Sequence, residues 1–182
     1  MGSAPIRVPD KEGLVKLRFV VAALWFALAA SGCAGVSLES YKPKNGDEEN
    51  IVATLKRIPN GIKAKSVEVL MQAYADDLYV GNFNKFMGVA TDTSVMRIGK
   101  AELRQAYTQV FRAPNVKEIS MDVLDFRLAV QGDRAVAEAY TELLTKLEAG
   151  RKESRQDVIR NEVTWRLRRS PLGWKIHEEI FH

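Results

Sequence analysis

Apolar and polar residues in the first half of the chain repeat with the period of an α-helix. The spacing predicts a short helix that ends at the Pro-Asn-Gly of 59–61, a longer helix over 62–80, a short one over 83–90 and another over 100–111. A short strand is expected around 94–99. The apolar face of the longer helix consists of Val67, Leu70, Met71, Tyr74 and Leu78.

Beyond residue 118 the period changes to two, which is the spacing of β-strands. Polar turns separate four segments that we predict to be long strands, namely 119–130, 134–148, 156–167 and 174–181. Helices followed by an antiparallel meander predict an α+β fold. We expect the N-terminal helices to pack on one face of a strongly bent, antiparallel or mixed β-sheet.

The alternation in the last two strands predicts which side chains face the core. Val163, Trp165 and Leu167 share the apolar side of one strand, and Trp174, Ile176 and Ile180 share that of the next. The outer side of the last strand is predicted to carry Lys175, His177, Glu179 and the apolar Phe181. The interior of the fold is therefore expected to lack a general acid or base.

A separate apolar segment lies near the N-terminus. Basic residues precede twelve apolar residues, 19–30, and two small residues then lead to Cys33, the only cysteine. A membrane-spanning helix takes about twenty apolar residues, whereas the apolar part of a secretory signal has about 7 to 15. The sequence "ASGC" resembles the lipobox of bacterial lipoproteins, with Ala30 where leucine is commonest. The alternative is that Cys33 is a buried small side chain in an N-terminal helix.

The lipoprotein resemblance implies cleavage before Cys33 and attachment of lipid to this residue. It divides the chain into a signal peptide at 1–32, the lipidated cysteine with a flexible polar tether at 33–49, and a domain at 50–182. We expect the true translation start near position 14 or 15. Because Ala34 is not the aspartate of inner-membrane lipoproteins, the resemblance implies the outer membrane, with the domain on its periplasmic face.

Composition narrows the classes of function. The 182 residues suit one domain, and 27 basic against 23 acidic residues give a formal charge of +4 without a block of like charge. A dedicated nucleic-acid surface is therefore not expected. A single cysteine cannot form an internal disulfide and no His/Cys spacing fits zinc, so we expect neither a metal nor a cofactor.

Two stretches resemble the nuclear transport factor 2-like (NTF2-like) superfamily, which includes SnoaL-like cyclases and ketosteroid isomerases. They are "VEVLMQAYADDLYVGNFNKFMGVATDTSVMRIGKAELRQAY" at 67–107 and "VTWRLRRSPLGWKIHEEIF" at 163–181. The resemblance implies a cone, in which the sheet curls around the long helix and the floor holds a ligand or catalytic group. Tyr74 falls where the isomerases have a catalytic tyrosine, but "VMRIG" at 95–99 has no carboxylate where they have the general base. Their second acid would fall near 160–162.

The ligand pocket is predicted to be lined by six residues, Met71, Tyr74, Leu78, Met96, Phe111 and Trp165. Tyr74 either contacts a ligand or is a core aromatic residue whose hydroxyl reaches the cone floor, and we favour the core role.

Charged residues outside this pocket have ordinary explanations. His177 and Glu179 form either an acid/base pair or, as we favour, salt links or a dimer surface on the outer strand face. Asp76 and Asp77 are expected to be solvated, since adjacent helical residues diverge by about 100°. Arg151, Lys152 and Arg155 lie in a predicted hairpin turn, where we favour solvated charge over the alternative of an anion site.

Two classes of function remain. We favour a membrane-anchored module that binds a small apolar ligand or, through the outer sheet face, another envelope protein or a second copy of the chain. The alternative is a SnoaL-like or isomerase-type enzyme acting on a small apolar carbonyl compound. A carboxylate or histidine that points into the pocket and is hydrogen-bonded toward Tyr74 would reverse this preference.

Overall fold

The computed structural model describes residues 35–86, 88, 97–149 and 153–182. Cys33 and Met96 lie outside these ranges, as do Arg151 and Lys152, so the predictions made for them stay predictions. The strand expected around 94–99 is described only from residue 97, where Ile98 forms an isolated antiparallel bridge to Val80. In the described ranges, no helix combines the length and apolarity needed to cross a membrane.

The first helix, α1 (Gly46–Lys63), is capped by the side chain of Asn45. It continues through Pro59, so the prediction that it ends at the Pro-Asn-Gly turn is wrong. A proline inside a helix removes one backbone hydrogen bond and crowds the preceding turn. Ile58 and Ile62, on either side of it, are buried in the core, and this burial offsets the loss.

The helix predicted over 62–80 is not formed. The chain instead makes a short helix, α2 (Val67–Met71), and then a strand, β1 (Tyr74–Gly81), which pairs in parallel with the last strand, β5 (Gly173–Phe181). Apolar residues at 74, 78 and 80 fit the period of a strand as well as that of a helix. The hydrogen bonds and packing that β1 gains beside β5 decide between the two.

The remaining elements follow the predicted order. Helices α3 (Phe83–Phe86) and α4 (Lys100–Arg112) precede the long strands β2 (Val116–Gln131), β3 (Arg134–Ala149) and β4 (Glu153–Ser170). The five-stranded sheet has the order β1-β5-β4-β3-β2, and every pair except β1 with β5 is antiparallel. Helices packed on this mixed sheet confirm the α+β fold class.

Residues 35–49, which the sequence indicated as a flexible tether, instead pack on the domain. The Leu38 amide donates to the Val123 carbonyl at 3.0 Å, and the Phe126 amide donates to the Val36 carbonyl at 2.8 Å. These bonds attach the segment to the edge strand β2, and the Leu38 side chain is only 1% exposed. The folded domain therefore begins at Gly35, because the edge strand offers unpaired backbone groups and the core accepts an additional leucine.

Candidate functional site

A β-bulge in β5 sets the orientation of the residues after it. Arg166 of β4 pairs with Glu178, but the next residue of β4, Leu167, pairs with Ile176, so His177 is an extra residue on β5. An extra residue shifts the alternation of side chains by one position. Glu179 and Phe181 consequently face the core, and the prediction that they lie on the outer face is wrong. Ile180 was predicted on the core side with Trp174 and Ile176, but it lies on the opposite side from Glu179 and is only half-buried.

The inward turn brings Glu179 to side chains from two other strands. Its carboxylate accepts a hydrogen bond at Oε2 from the Tyr74 hydroxyl at 3.1 Å and another at Oε1 from Trp165 Nε1 at 2.7 Å. Tyr74 lies on β1, and Trp165 lies on β4 directly opposite Glu179. The three residues form a buried polar cluster, which we call the Tyr–Glu–Trp cluster, and Glu179 is 2% exposed.

Burial changes the ionisation of this cluster. It raises the pKa of Glu179 from 4.5 to about 7, although the hydrogen bonds from Trp165 and Tyr74 lower it in part. The pKa values of the Tyr74 and Tyr107 hydroxyls are also raised, mainly by burial and further by the charge of Glu179. Glu179 therefore changes its charge near neutral pH, whereas both tyrosines stay neutral and can donate hydrogen bonds.

The other predicted pocket residues lie in the same core. Met71 and Leu78 are buried, and Phe111 is half-buried at the end of a row of aromatic rings. The ring centroids are 5.0 Å apart from Phe181 to Phe86, 5.9 Å from Phe86 to Tyr107 and 5.5 Å from Tyr107 to Phe111. Of the predicted pocket residues, Tyr74 and Trp165 thus contact Glu179 directly. Phe111 is connected to this region by the row of rings that begins at Phe181, two residues after Glu179.

Asn161 adds a second polar group to the inner face of β4. It is 8% exposed, and its Nδ2 has no hydrogen-bond partner among the described residues. The neighbouring Thr141 of β3 is also buried and donates from its hydroxyl to the Asn161 carbonyl at 3.2 Å. Because buried polar groups are nearly always paired, this amide is open to a hydrogen bond with a water molecule or a ligand. It lies within the 160–162 stretch where the family resemblance put a second acid.

His177 and Glu179 do not form an acid/base pair. The bulge directs Glu179 inward, whereas His177 Nδ1 lies 2.6 Å from Asp77 Oδ1 of β1. Asp76 forms an ion pair with Lys100 at 2.8 Å, and Arg155 forms one with Asp157 at 2.6 Å. In the described part of the chain, no three His, Cys, Asp or Glu side chains are grouped to hold a metal ion.

Clefts are present on the described surface, but those we find do not reach the Tyr–Glu–Trp cluster. One of about 1080 Å³ lies between the end of α1 and the first half of β2. Another of about 600 Å³ lies on the sheet beside His177 and Tyr79. Neither is lined by Glu179, so the carboxyl group is closed off from both of them.

The model of the SnoaL-like domain matches residues 51–180. The chain belongs to the SnoaL-like domain family. No curated protein matches it. The fold of this SnoaL-like protein is shared with solved structures of low identity, which confirms the NTF2-like architecture.

Three of these structures illustrate the similarity. An NTF2-like protein with a cystatin-like fold from Novosphingobium aromaticivorans is 17% identical, with a TM-score of 0.52 over 74% of this chain and 80% of its own. A candidate dehydratase of the NTF2-like family from Streptomyces avermitilis is 17% identical, with a TM-score of 0.52 over 74% and 94%. A candidate scytalone dehydratase from Novosphingobium aromaticivorans is 9% identical, with a TM-score of 0.58 over 74% and 81%.

Proposed function

We propose that the chain is a lipid-anchored protein on the periplasmic face of the outer membrane, whose SnoaL-like domain transfers a proton on a small, largely apolar carbonyl compound. The anchor rests on the lipobox at Cys33 and the sorting position Ala34. The chemistry rests on one observation, which is the buried carboxyl group of Glu179 held between Tyr74 and Trp165.

Glu179 has the properties of a general acid/base. Efficient proton transfer needs a group whose pKa is close to the working pH, and burial brings the pKa of Glu179 to about 7. Trp165 Nε1 fixes the orientation of the carboxyl group, and the Tyr74 hydroxyl supplies a second hydrogen bond that stabilises the charged form. These roles reverse the preference for a binding module, because the expected interior had no such group.

The surroundings favour an apolar substrate with one hydrogen-bond acceptor. The row of rings from Phe181 to Phe111 offers an apolar contact surface, and the unpaired Asn161 amide offers a donor to an oxygen of the substrate. Two proteins of similar fold are candidate dehydratases, a class that also depends on proton transfer. Substrate entry requires the core around Glu179 to open, since Glu179 is buried and lines neither cleft. Catalytic contacts often form only in the complex.

The second candidate is a binding module without turnover. It is favoured by the closure of the cluster, since Glu179 is 2% exposed and both of its oxygens have partners within the protein. In this case the cluster is a structural element of the cone floor, and the ligand occupies only the apolar part of the interior.

Glu179→Gln distinguishes the two candidates. Full-length wild type, Glu179→Gln and the control Glu178→Gln are purified from host membranes in detergent, and native mass spectrometry identifies the compound that stays bound. The control alters an adjacent carboxylate that faces outward to Arg166. The released compound is then incubated with each protein in D₂O, and deuterium bound to its carbon atoms is measured.

For proton transfer, we expect wild type and Glu178→Gln to incorporate deuterium. Glu179→Gln is expected to bind the compound but exchange its protons slower by about 100-fold or more, because it lacks the acid/base group. Binding by all three proteins without deuterium incorporation supports the binding module. Normal exchange by Glu179→Gln contradicts the role proposed for Glu179.

A further inference from the structure

The first described residue is already fixed against the sheet. Gly35 lies on Asp125 of β2 so closely that a Cβ atom at position 35 would be 2.6 Å from the Asp125 Cα. Real Cβ atoms do not approach backbone atoms this closely, so a side chain at position 35 would displace the segment. The segment that begins at Gly35 is therefore held in one position against β2.

The proposed lipid attachment point is very near this fixed residue along the chain. Cys33 precedes Gly35 by two residues. A fully extended chain covers at most about 3.6 Å per residue, so their Cα atoms lie within about 7 Å of each other. A domain joined to its lipid by so short a connection cannot move far from the bilayer, and the surface around Asp125 has to lie next to the lipid.

Exposed apolar side chains are found at this place. Val36 follows Gly35 directly, and Leu124 precedes Asp125 and is paired across the sheet with Tyr140 of β3. All three are exposed, Tyr140 by 50%, although valine, leucine and tyrosine are large apolar or amphipathic residues. Tyrosine is enriched where proteins meet the membrane–water interface, because its ring is apolar and its hydroxyl is polar.

The charges beside this surface indicate which lipid it suits. A recess of about 120 Å³ next to Tyr140 is lined by three carboxylates and one guanidinium, belonging to Asp125, Glu138, Glu162 and Arg127. A surface with an excess of acidic groups is repelled by anionic headgroups. Contact with a bilayer here therefore depends on apolar insertion between zwitterionic headgroups.

We propose that Val36, Leu124 and Tyr140 form a membrane-contact surface that holds the domain flat against a zwitterionic lipid surface. The proposal rests on the proposed lipidation of Cys33, since the short connection is what brings these residues to the bilayer. It assigns this part of the sheet to lipid instead of to a second copy of the chain, which was the partner expected for the outer sheet face.

Single introduced cysteines test the proposal. Cys33 is the only native cysteine, and its thiol is bonded to lipid in the lipidated protein. A spin label therefore reacts only with the introduced cysteine. Leu124→Cys and Tyr140→Cys report on the proposed surface. Val158→Cys and Leu172→Cys are the controls. Val158 precedes Glu162, the strand partner of Tyr140, by four residues and lies on the same face of β4. Leu172 lies in the turn between β4 and β5 and is 87% exposed.

Each full-length, labelled protein is placed in phosphatidylcholine vesicles, and collision with oxygen and with a water-soluble nickel chelate gives the depth of the label. We expect labels at 124 and 140 to collide with the nickel chelate at least about fivefold less than labels at 158 and 172. Replacing about 30% of the lipid with phosphatidylglycerol should weaken this protection, because the surface carries excess carboxylates.

The outcomes separate failure of this proposal from failure of the anchor. Equal nickel collision at all four positions, in a protein whose intact mass includes the lipid, overturns the membrane-contact surface. Protection at 124, 140 and 158 together, with spin–spin broadening that persists in detergent, overturns it in favour of a second copy. A mass without lipid and no vesicle binding overturns the anchor itself, and the contact surface that rests on it.

Discussion

The carboxyl group of Glu179 is buried between Tyr74 and Trp165. Burying an ionised carboxylate is costly, and the protein lowers this cost with two hydrogen bonds and with a pKa near 7, which keeps the group largely protonated below neutral pH. A purely structural position could be filled by an apolar side chain of similar volume. The proposed proton transfer therefore gives this buried carboxyl group a role that an apolar side chain could not fill.

Glu179→Gln should make stability less dependent on pH. The pKa of Glu179 is about 7 in the folded protein and 4.5 in the unfolded chain, so the folded state binds more protons between these values. This contribution is full below pH 4.5 and is lost as the pH rises to 7. From pH 5 to pH 8, the wild type should lose about 2 to 3 kcal/mol of unfolding free energy relative to the variant. Urea unfolding across this range measures the difference.

The control for this experiment is Glu178→Gln, in which the altered side chain forms an exposed ion pair with Arg166. It should follow the wild-type pH dependence. If Glu179→Gln and Glu178→Gln show the same pH dependence as the wild type, Glu179 does not have the raised pKa.

Substitutions of Trp165 test whether its side chain lies on the inner face of β4 and whether its hydrogen bond affects Glu179. Trp165→Ala should lower the unfolding free energy by about 3 to 5 kcal/mol, because the side chain is fully buried. Trp165→Phe keeps much of the apolar contact but removes the Nε1 donor. Because the hydrogen bond from this donor lowers the pKa of Glu179, its removal should raise that pKa. We expect it to raise the midpoint of any pH–activity profile. An unchanged melting temperature in Trp165→Ala would contradict the inward position.

At the scale of elements, the hydrophobic periodicity correctly predicted those helices and strands whose spacing fits only one type of secondary structure. The four long strands and α4 match their predicted positions closely, since apolar residues recur along each at the period of its element. Two places failed. Apolar residues at 74 and 78 fit a helix and a strand equally, and pairing with β5 selected the strand. In β5, the bulge at His177 interrupted the alternation, and the one signal for it was an apolar Phe181 on the predicted polar face.

The N-terminal segment gives a prediction at this scale. Leu38 is almost fully buried and hydrogen-bonded through its backbone to β2, so Leu38→Ala should cost about 2 to 5 kcal/mol of unfolding free energy. Leu172→Ala is a matched control, because Leu172 is exposed in a turn and should change stability by less than about 0.5 kcal/mol. Equal melting temperatures for both variants would show that the segment is a loose tether.

At the scale of the whole molecule, the attached segment changes how the proposed anchor acts. A flexible tether over 33–49 would let the domain move far from the membrane, whereas a domain that begins at Gly35 is separated from Cys33 by a single residue. Multi-chain lipid attachment is effectively permanent, since each buried methylene contributes about 0.8 kcal/mol. With the proposed anchor, the domain would act at the membrane surface, where apolar compounds concentrate.

Cys33→Ser tests the anchor. The variant should show no labelling by radioactive palmitate and should keep its signal segment, because the lipoprotein peptidase needs a lipidated cysteine. Wild type, fractionated in parallel, should be labelled and found with the outer membrane. Labelling of Cys33→Ser equal to that of wild type would contradict the lipoprotein assignment.

The sequence by itself determined the α+β class and the positions of the four long strands, and its motifs carried the likeness to the NTF2-like superfamily. The fold class and the strand positions follow from local periodicity, which a chain carries whatever its neighbours are. The tertiary structure decided the strand at β1, the attachment of residues 35–49 and the inward turn of Glu179. Each depends on pairing with a strand distant in sequence, and the energy of that pairing exists only once both partners are in place.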